Sequence, residues 1–466
     1  SRAPRNPHPR CIEEMSTKEL DLLADDPGEE ELDKMGPDER AKHVNTKEKR
    51  ERQRSRALRA LYINFFQAVV QHVMVIQSEQ ALFLKAHNND MLWTSKTLSA
   101  TTSLVGILGL VLNQIGGKMS DAYGRRPFFM LGPVVNFLVG LVVFQMPTSR
   151  FALAATRIMK MLATTFSGSV MGGAAIGEVV KGQAMAIVGT RISSIVGIAV
   201  VVGPFLESAI MRLTRGSYRS AYLGVSAVAL LQLVCTWIQL PETLRTPSPF
   251  NFSATLAALN PLDSLKLFYG KNKTLKQLVT IWMFQMVMEG KNLSDLSQVW
   301  MREHIRWSFE AIRNFVSVWG GCATLSGLYM APYVLRRTTV RGFTTLANAG
   351  MSVGYSMALF SERGIAFIVS LPFQLLGVNG GSALAIGPVM RRLADEEGYG
   401  GGEFSAWTNN LRAVPSVLTP LLIGQLYTFL KKRNIYAGVV YPTTGFVGAV
   451  VPTLLLWGLV DNSKLK

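Results

Sequence analysis

The feature that most limits the fold of this sequence is a series of twelve apolar runs, each close to twenty residues long. A helix of that length crosses the hydrocarbon core of a bilayer. Because lipid offers the backbone no hydrogen-bond partners, spanning segments are expected to be helices. We find no alternating strand pattern that is typical of a membrane barrel. The sequence therefore predicts an all-α integral membrane protein that crosses the membrane many times.

The apolar runs fall into two groups of six. We place them near residues 57–85, 93–115, 128–146, 151–174, 183–211 and 218–240, and then near 276–300, 309–334, 343–360, 365–389, 404–430 and 441–460. A polar stretch with three prolines, residues 245–275, separates the groups and is expected to hold short amphipathic helices on the membrane surface. The predicted organisation is a polar arm (1–56), a first six-helix bundle (57–244), a cytoplasmic-side linker (245–275) and a second six-helix bundle (276–466).

The net charge of +17 raises the question of nucleic-acid binding. Residues 1–60 hold 14 bases and 14 acids, so the excess comes from the rest of the chain, where the bases lie mostly in short loops. That distribution is typical of membrane topology and argues against a nucleic-acid partner. The arm lacks an apolar stripe and is expected to be disordered or partly helical alone. Its basic half is expected to contact anionic membrane lipids, and a protein partner that orders the arm is an open alternative.

Enzyme signatures are not found in this sequence. It has no P-loop, no dinucleotide-binding glycine pattern and no HExxH motif. The three cysteines, Cys11, Cys235 and Cys322, are far apart and form neither a disulfide framework nor a metal-binding spacing. We therefore expect neither an enzyme nor a metal or cofactor site.

One short stretch between the second and third spans concentrates glycines, an acid and bases. It runs from Gly116 to Pro127, with the sequence GGKMSDAYGRRP. Glycine turns a chain tightly at no steric cost, and proline suits the first turn of the next helix. Its acid is able to face the positive N-terminal end of a neighbouring helix, and its bases are expected to hold a loop on the cytoplasmic face.

This stretch resembles the loop between the second and third helices of the major facilitator superfamily. The family's signature has a glycine, an acid four residues on, a glycine three further and then two bases. The matching positions are Gly117, Asp121, Gly124, Arg125 and Arg126. Ala122 stands where the family usually has another base. The resemblance covers about residues 57–461 and implies two six-helix bundles around a central cavity, with these loop residues gating the inward face.

Further motifs extend the resemblance. Gly203-Pro204 in the fifth span resembles the family's Gly-Pro motif, which is associated with antiporters, and Pro241-Glu242-Thr243-Leu244 resembles the end of the sixth helix in drug and organic-solute members. Arg157 stands where the family has an arginine tied to proton coupling. The pattern departs after it, with Ala163 where glycine is expected. The closest match is to proton-coupled members that move drugs or organic solutes.

Ionisable residues inside the spans are the candidates for a substrate or proton pathway. Each costs roughly 2.5–3.5 kcal/mol at a helix centre, so it needs a partner or a watery cavity. His72 and Glu79 are seven residues apart and are expected to share one face of the first helix. Arg157 and Lys160 lie one turn apart in the fourth span, and the alternative to a role in transport is a structural pair with an acid.

The seventh and eleventh spans add further candidates. Glu289, Lys291 and Asp295 make the centre of the seventh span polar, which indicates a cavity lining or a discontinuous helix. Glu289 and Asp295 are expected to lie roughly on one side. Arg412 is a similar candidate in the eleventh span. Arg191 and Glu207 are weaker candidates because both lie near the ends of the fifth span.

Two functional hypotheses follow from the sequence. The first is a secondary transporter that moves a small organic solute by alternating access, with proton coupling. The second is a transporter-derived structural subunit of a larger membrane assembly, without transport activity. The second rests on the polar arm, on Ala122 and on the loop after the eighth span, which keeps bases but has no matching glycine or acid.

Overall fold

The protein is an all-α, multi-pass membrane protein, and its computed structural model describes residues 37–180, 183–244, 264–360, 364–377, 381–399 and 401–465. Every regular element in these ranges is a helix. Seven helical segments there are long and apolar enough to cross a membrane. The remaining spans are interrupted or shorter, and together they give twelve spans in two halves.

The first half contains spans α1 to α6. They are α1 (Pro37–Val73 and Ile76–Ala86), α2 (Met91–Tyr123), α3 (Arg126–Gln145), α4 (Arg150–Thr164, a π-helical turn Thr165–Val170, and Met171–Val179), α5 (Gln183–Leu213) and α6 (Ser220–Gln239).

The second half contains spans α7 to α12, preceded by a single helical turn, Lys266–Tyr269. They are α7 (Lys273–Met286 and Gly290–Glu303), α8 (Phe309–Leu325, a π-helical turn Ser326–Met330, and Ala331–Arg337), α9 (Val340–Met357 with a 3-10 turn Ala358–Phe360), α10 (Ile365–Gln374 and Gly381–Glu396), α11 (Gly401–Lys432) and α12 (Ala437–Val439, Val440–Gly445, Phe446–Val450 and Val451–Leu459).

Several spans begin at a capping side chain. Asp90 accepts hydrogen bonds from the N–H groups at the start of α2, at 2.8 and 3.1 Å. Asn272 does the same for α7, at 3.0 and 3.2 Å. Ser308 and Thr339 cap α8 and α9. A side-chain oxygen at each of these positions satisfies N–H groups that have no partner inside the helix, so the loops end where the sequence supplies such residues.

The stretch between α2 and α3 differs from the sequence prediction. We expected a loop from Gly116, but α2 continues as a helix to Tyr123, and Gly124 is the turning residue, with φ +92°. Pro127 lies in the first turn of α3, as expected. The glycines at 116 and 117 did not end the helix because an isolated Gly pair costs only about 1 kcal/mol per residue in a helix interior.

The arm and the linker fall partly outside the described residues. Residues 1–36 and 245–263 are in that part of the chain. The remainder of the predicted arm, from Pro37, is helical and continuous with α1. The first helix therefore begins well before residue 57.

Polar residues along α1 bind neighbouring helices of the same half. Asn64 donates to Thr236 of α6 at 2.7 Å, and Gln71 donates to Gln232 of α6 at 2.6 Å. Asn136 of α3 donates to Gln71 at 2.9 Å. These amide pairs are buried, and they satisfy groups that would be costly to leave unpaired in a membrane. The polarity of α1 thus serves helix packing along much of its length.

The two halves meet along α2 with α11 and along α5 with α8. Small residues permit the close approach. A Cβ on Gly106 of α2 would lie 2.5 Å from a methyl group of Val417 in α11, and a Cβ on Gly320 of α8 would lie 2.8 Å from Val200 in α5. Glycine at such contacts lets membrane helices pack backbone to side chain. The contact between the halves is therefore tight along these two seams.

Candidate functional site

Arg157 of α4 stands at the centre of a buried polar cluster. Its Nη1 lies 2.5 Å from Glu79 Oε2 in α1, and its Nη2 lies 2.5 Å from Asp295 Oδ2 in α7. Its Nε donates to the Thr101 hydroxyl at 3.0 Å, and Nη2 donates to the Thr102 hydroxyl at 3.1 Å. The side chain is only 4% exposed, so the guanidinium is enclosed by its partners. One arginine thus joins both halves.

Lys160 and Tyr222 complete the cluster on the Glu79 side. The Lys160 ammonium lies 2.9 Å from Glu79 Oε1, and the Tyr222 hydroxyl lies 3.3 Å from the same oxygen. Lys160 also stands 5.8 Å from the centre of the Tyr222 ring. With Arg157 and Asp295, the cluster holds two acids and two bases and is neutral. A neutral, hydrogen-bonded group is the arrangement in which buried charges are tolerated.

Local structure places these side chains. Arg157 and Lys160 are three residues apart on α4 and so lie on one face of that helix. On the partner helix, α1 is interrupted at Met74 and Val75 before it resumes at Ile76. Glu79 therefore belongs to the short second segment of α1, Ile76–Ala86, which presents its carboxylate to α4.

A narrow cavity adjoins Asp295. It has a volume of about 10 Å³, room for roughly one water molecule, and is lined by Ser99, Asp295, Leu296, Pro420, Ile423 and Gly424. The Asp295 side chain is 19% exposed, against 5% for Glu79. Asp295 is therefore the carboxylate of the cluster that a water molecule reaches most easily.

A second ion pair also crosses between the halves. Arg313 Nε of α8 lies 3.2 Å from Glu207 Oε2 of α5, and Arg313 donates to the Ser208 hydroxyl at 3.1 Å. The other oxygen of Glu207 accepts the backbone N–H of Ser78 at 2.9 Å and its hydroxyl at 2.5 Å. Glu207 is 1% exposed. This carboxylate thus ties three helices together.

Sequence analysis placed Glu207 among the weaker candidates and did not single out Arg313. Both lie near span ends, where a charge is usually solvated. The available signal was the presence of an acid and a base at the same depth in α5 and α8, the two spans that form a seam between the halves.

Both cross-half pairs lie at the same end of the bundle. Their residues stand within about ten residues, or about 15 Å, of the loops that follow α1, α3, α5 and α7. Gln77 of α1 and Gln298 of α7 are hydrogen-bonded at that level as well. We call this end the outer end, because it lies opposite the linker, which the sequence predicts to be on the cytoplasmic side. Two ion pairs and one amide pair join the halves there.

Glu289 and Arg412 form a separate pair within the second half. Arg412 Nη2 lies 2.5 Å from Glu289 Oε1, and its Nε lies 3.0 Å from Oε2. The predicted discontinuity of the seventh span is observed, since α7 is broken between Met286 and Gly290. Glu289 stands at that break, and Asp295 lies on the next helical segment. Asp295 binds the other half, whereas Glu289 binds α11.

The Arg412 side chain is 36% exposed although it lies in the middle of α11. A charged group at that depth is costly to place against lipid. Its two contacts with Glu289 supply the opposite charge within the second half.

The remaining candidates are less directly engaged. His72 is half-buried in the last turn before the α1 interruption. The backbone of Lys291 opens the second segment of α7, but its side chain lies outside the described residues. Arg191 lies in α5, near the start of that helix at Gln183.

The Gly203-Pro204 motif lies inside α5, where it meets the interruption of α1. A Cβ on Gly203 would lie 3.0 Å from Val73 and 3.1 Å from the backbone nitrogen of Met74. Glycine lets α5 pack against the interrupted turn, and proline at the next position removes one N–H from the helix. The two helices are therefore both irregular at their contact.

The motif at the inner face is held by an acid from α6. Glu242 accepts the backbone N–H of Arg125 at 2.9 Å and of Arg126 at 3.1 Å. A Cβ on Gly124 would lie 2.6 Å from the same carboxylate. Burial alone would raise the pKa of Glu242, but these N–H groups and that of Leu244 hold it below its ordinary value. The α6 end thus caps the start of α3.

Asp121 is bound more loosely than the motif suggests. It pairs with Arg125 at 2.9 Å, and its side chain is 44% exposed. Burial raises the pKa of Asp121 above its ordinary value despite that arginine. Arg126 donates to the Trp237 carbonyl and stacks on its ring. At Gly117 a Cβ would meet nothing within 4 Å.

The comparisons with known proteins agree with this architecture. The family model for the major facilitator superfamily matches residues 65–420, which is well over half of the chain. The chain belongs to the major facilitator superfamily. No curated protein matches this superfamily member in sequence.

Solved structures of other superfamily proteins share the fold. The human organic anion transporter MFSD10 (TETRAN) has a TM-score of 0.66 and 14% identity, covering 86% of this chain and 99% of its own. A D-xylose-proton symporter has a TM-score of 0.63 and 17% identity, covering 88% and 98%. The nucleoside transporter NupG, as a D323A mutant, has a TM-score of 0.62 and 12% identity, covering 86% and 99%. At these identities the likeness shows the fold alone.

Proposed function

We propose that this protein is not an enzyme but a secondary transporter, which moves a small organic solute across its membrane by alternating access with proton coupling. In such carriers two bundles rock about a central site that opens to one side at a time. The observation that carries the proposal is the ion pair of Arg157 with Asp295, which joins the two halves at the outer end.

Charged side chains deep in a membrane span are costly, and apolar packing would stabilise the fold better than they do. Both cross-half pairs place one acid and one base on opposite sides of a seam. Such pairs stabilise a closed outer end, and they break together when the halves separate. The buried charges then have a function, because they stabilise the state in which the outer end is closed.

The solved relatives support transport of organic solutes in this fold. They are an organic anion transporter, a D-xylose-proton symporter and a nucleoside transporter. Because these substrates differ, the fold supports transport of organic solutes in general, and the solute of this protein depends on the residues of its site. Arg157, Lys160 and Asp295 provide charged groups for such a site at the junction of the halves.

Paired distance measurements test the proposal. One label pair, Lys96→Cys and Lys432→Cys, reports the outer ends of α2 and α11, and a second, Lys118→Cys and Asp395→Cys, reports the inner ends of α2 and α10. All four native side chains are exposed. The labels are placed in the full chain after Cys11, Cys235 and Cys322 are replaced by serine, and the protein is measured in liposomes at pH 5.5 and 7.5.

Alternating access predicts that the outer and inner distances change in opposite directions between two populations. A single pair of distances under every condition, including the Arg313→Gln variant that weakens outer closure, would contradict transport. It would support instead the structural-subunit alternative, which is favoured by the close filling around Asp295, where the cavity holds about one water molecule.

A further inference from the structure

We propose that Arg157 binds the carboxylate of a small organic monoanion, that Asp295 occupies this place in the empty carrier, and that Asp295 carries one proton when the anion is bound. This assignment rests on the proposed transport function and names its substrate class and coupling ratio. The anion and one proton would cross together, with no net charge.

The bonds of Arg157 are divided between the two halves. Glu79, Thr101 and Thr102 belong to the same half as Arg157 and hold it from three directions. Among its bonds to described residues, the one to Asp295 crosses to the other half. When the halves separate, the guanidinium stays in place and loses one carboxylate. The vacated position is a site for another carboxylate.

Two donors surround the position that the Asp295 carboxylate occupies. Asp295 Oδ2 lies 2.5 Å from Arg157 Nη2 and accepts the Thr102 hydroxyl at 3.2 Å. An arginine edge beside a hydroxyl is a donor arrangement suited to a carboxylate oxygen. Both donors belong to the first half and remain together after separation. The protein's own acid thus shows how a substrate acid would sit.

The charges of the first-half cluster also favour an anion. Without Asp295, the first-half cluster holds Glu79, Arg157 and Lys160, which sum to +1. Tyr222 bonds Glu79 as a neutral hydroxyl. One monoanion restores neutrality, whereas a cation would raise the charge to +2. Because an unbalanced charge in a membrane interior is costly, the site favours an anion with a single charge.

The balance on the second half requires a proton. Once separated from Arg157, the Asp295 carboxylate has lost its guanidinium partner. A water-sized cavity lies beside it in the closed state, and separation of the halves would expose the carboxylate to solvent protons. A proton on one carboxylate oxygen makes Asp295 neutral and is released when the carrier opens to the other side. The empty carrier recloses by the Arg157–Asp295 pair, and the loaded carrier recloses with one anion and one proton.

Partial loading is disfavoured by the same balance. An anion without a proton leaves Asp295 charged beside the bound carboxylate, and a proton without an anion leaves Arg157 without its second carboxylate partner. Either state carries one unpaired charge into a closed interior. The Glu207–Arg313 pair does not change this count, because it is neutral and re-forms in both the empty and the loaded closed states. Coupling of one anion to one proton follows.

Other charged groups face this site and belong in any pH test. The imidazole of His72 lies on α1, seven residues before Glu79, and Glu207 with Arg313 lies on the neighbouring seam. Glu207→Gln is therefore the matched comparison for Asp295→Asn. Each variant exchanges a cross-half carboxylate for an amide, but only Asp295→Asn is expected to alter anion binding.

The test uses the purified full chain and two matched series of probes that differ in charge. They are nicotinate, nicotinamide and 3-(aminomethyl)pyridine, and gluconate, gluconamide and glucamine. Thermal stabilisation gives binding, and uptake into liposomes gives coupling. We expect the carboxylate of at least one series to bind at least about tenfold more tightly than its amide, as for one charge-assisted bond. Arg157→Gln should abolish this preference.

Asp295→Asn imitates the protonated acid. We expect it to bind the carboxylate at pH 7.5 at least about as tightly as the native protein does at pH 5.5, whereas Glu207→Gln keeps the native pH dependence. Uptake by the native protein should follow a pH gradient and ignore a potassium–valinomycin potential. Uptake by Asp295→Asn should lose its response to the pH gradient.

Four results would overturn the assignment. They are tighter binding of the amide or amine in both series, carboxylate binding that survives Arg157→Gln, native uptake driven by the membrane potential, and no carboxylate effect in a protein whose label distances do change. If the label distances never change, the transport proposal itself fails, so the two failures are distinguishable.

Discussion

The carboxylate of Glu207 in α5 and the guanidinium of Arg313 in α8 lie 3.2 Å apart across the seam between the two halves. Removing one member of a buried pair leaves an uncompensated charge, which costs about 3–5 kcal/mol. We predict that Arg313→Gln and Glu207→Gln each open the outer end, because each change leaves the buried partner without its opposite charge.

A double-variant cycle checks this prediction by the outer label distance. The double variant Glu207→Gln/Arg313→Gln should be less open than Arg313→Gln alone, since it has no unpaired charge. Additive effects of the two changes would show that the pair does not close the outer end.

Two glycines of the α2–α3 motif are predicted to respond in opposite ways. Gly124 has φ +92°, and a Cβ there would lie 2.6 Å from Glu242, so Gly124→Ala should lower the melting temperature. Gly117 lies in a helix with nothing near its Cβ position. Gly117→Ala should be neutral or stabilising, by up to about 1 kcal/mol. Thermal unfolding in detergent compares them, and equal losses would contradict the distinction.

Glu242 gives a pH-dependent prediction at the inner face. Its pKa is held below the ordinary value in the folded protein. The stabilisation is therefore complete above the unfolded pKa, about 4.3, and is lost as the pH falls through the lower folded value. Hydrogen exchange of the peptide that contains Arg125 and Arg126 measures it. Glu242→Gln should raise exchange at pH 7, and the difference should shrink below about pH 4.

Asp121→Asn is the matched control for that experiment. Because the pKa of Asp121 is raised, folding disfavours its charged form, so the amide should leave exchange unchanged or slower at pH 7. An increase equal to that of Glu242→Gln would show that the motif's own acid, not the α6 carboxylate, holds the turn.

Glu79 is predicted to be essential for the stability of the first half. Glu79→Gln would leave Lys160 and Arg157 buried with one carboxylate between them, a loss of about 3–5 kcal/mol. Glu51→Gln is the control, since Glu51 is an exposed acid on the same helix. Thermal unfolding and yield of folded protein compare the two. Equal stability would contradict the structural account of the cluster.

The sequence predicted the spans well because apolar length alone identifies them. The predicted third span, 128–146, and the observed helix Arg126–Gln145 differ by one or two residues at each end. The interruption of α1 at Met74 and Val75 was missed, since no proline or glycine marks it. It lies where α1 packs closely against Gly203 of α5, a tertiary contact that the local sequence does not indicate.

The candidate residues were identified more readily than their partners. Arg157 and Glu79 were recognisable as buried charges, but 78 positions separate them, and no local pattern indicates the pairing. Asp295 was grouped with Glu289 because they are close in the chain. The break in α7 sends one to the first half and the other to Arg412. Pairing across a fold depends on helix packing, which the sequence pattern of one helix does not contain.

The accessibility of Ser99→Cys to a membrane-impermeant thiol reagent tests the central claim most directly. Ser99 lines the cavity beside Asp295, behind the closed outer end. The reagent is added on the outer side of liposomes. We predict that Ser99→Cys is labelled at least about tenfold faster when Asp295→Asn is also present than when Asp295 is retained, because the cross-half pair is lost. An unchanged rate would contradict the claim that the Arg157–Asp295 pair holds the two halves together.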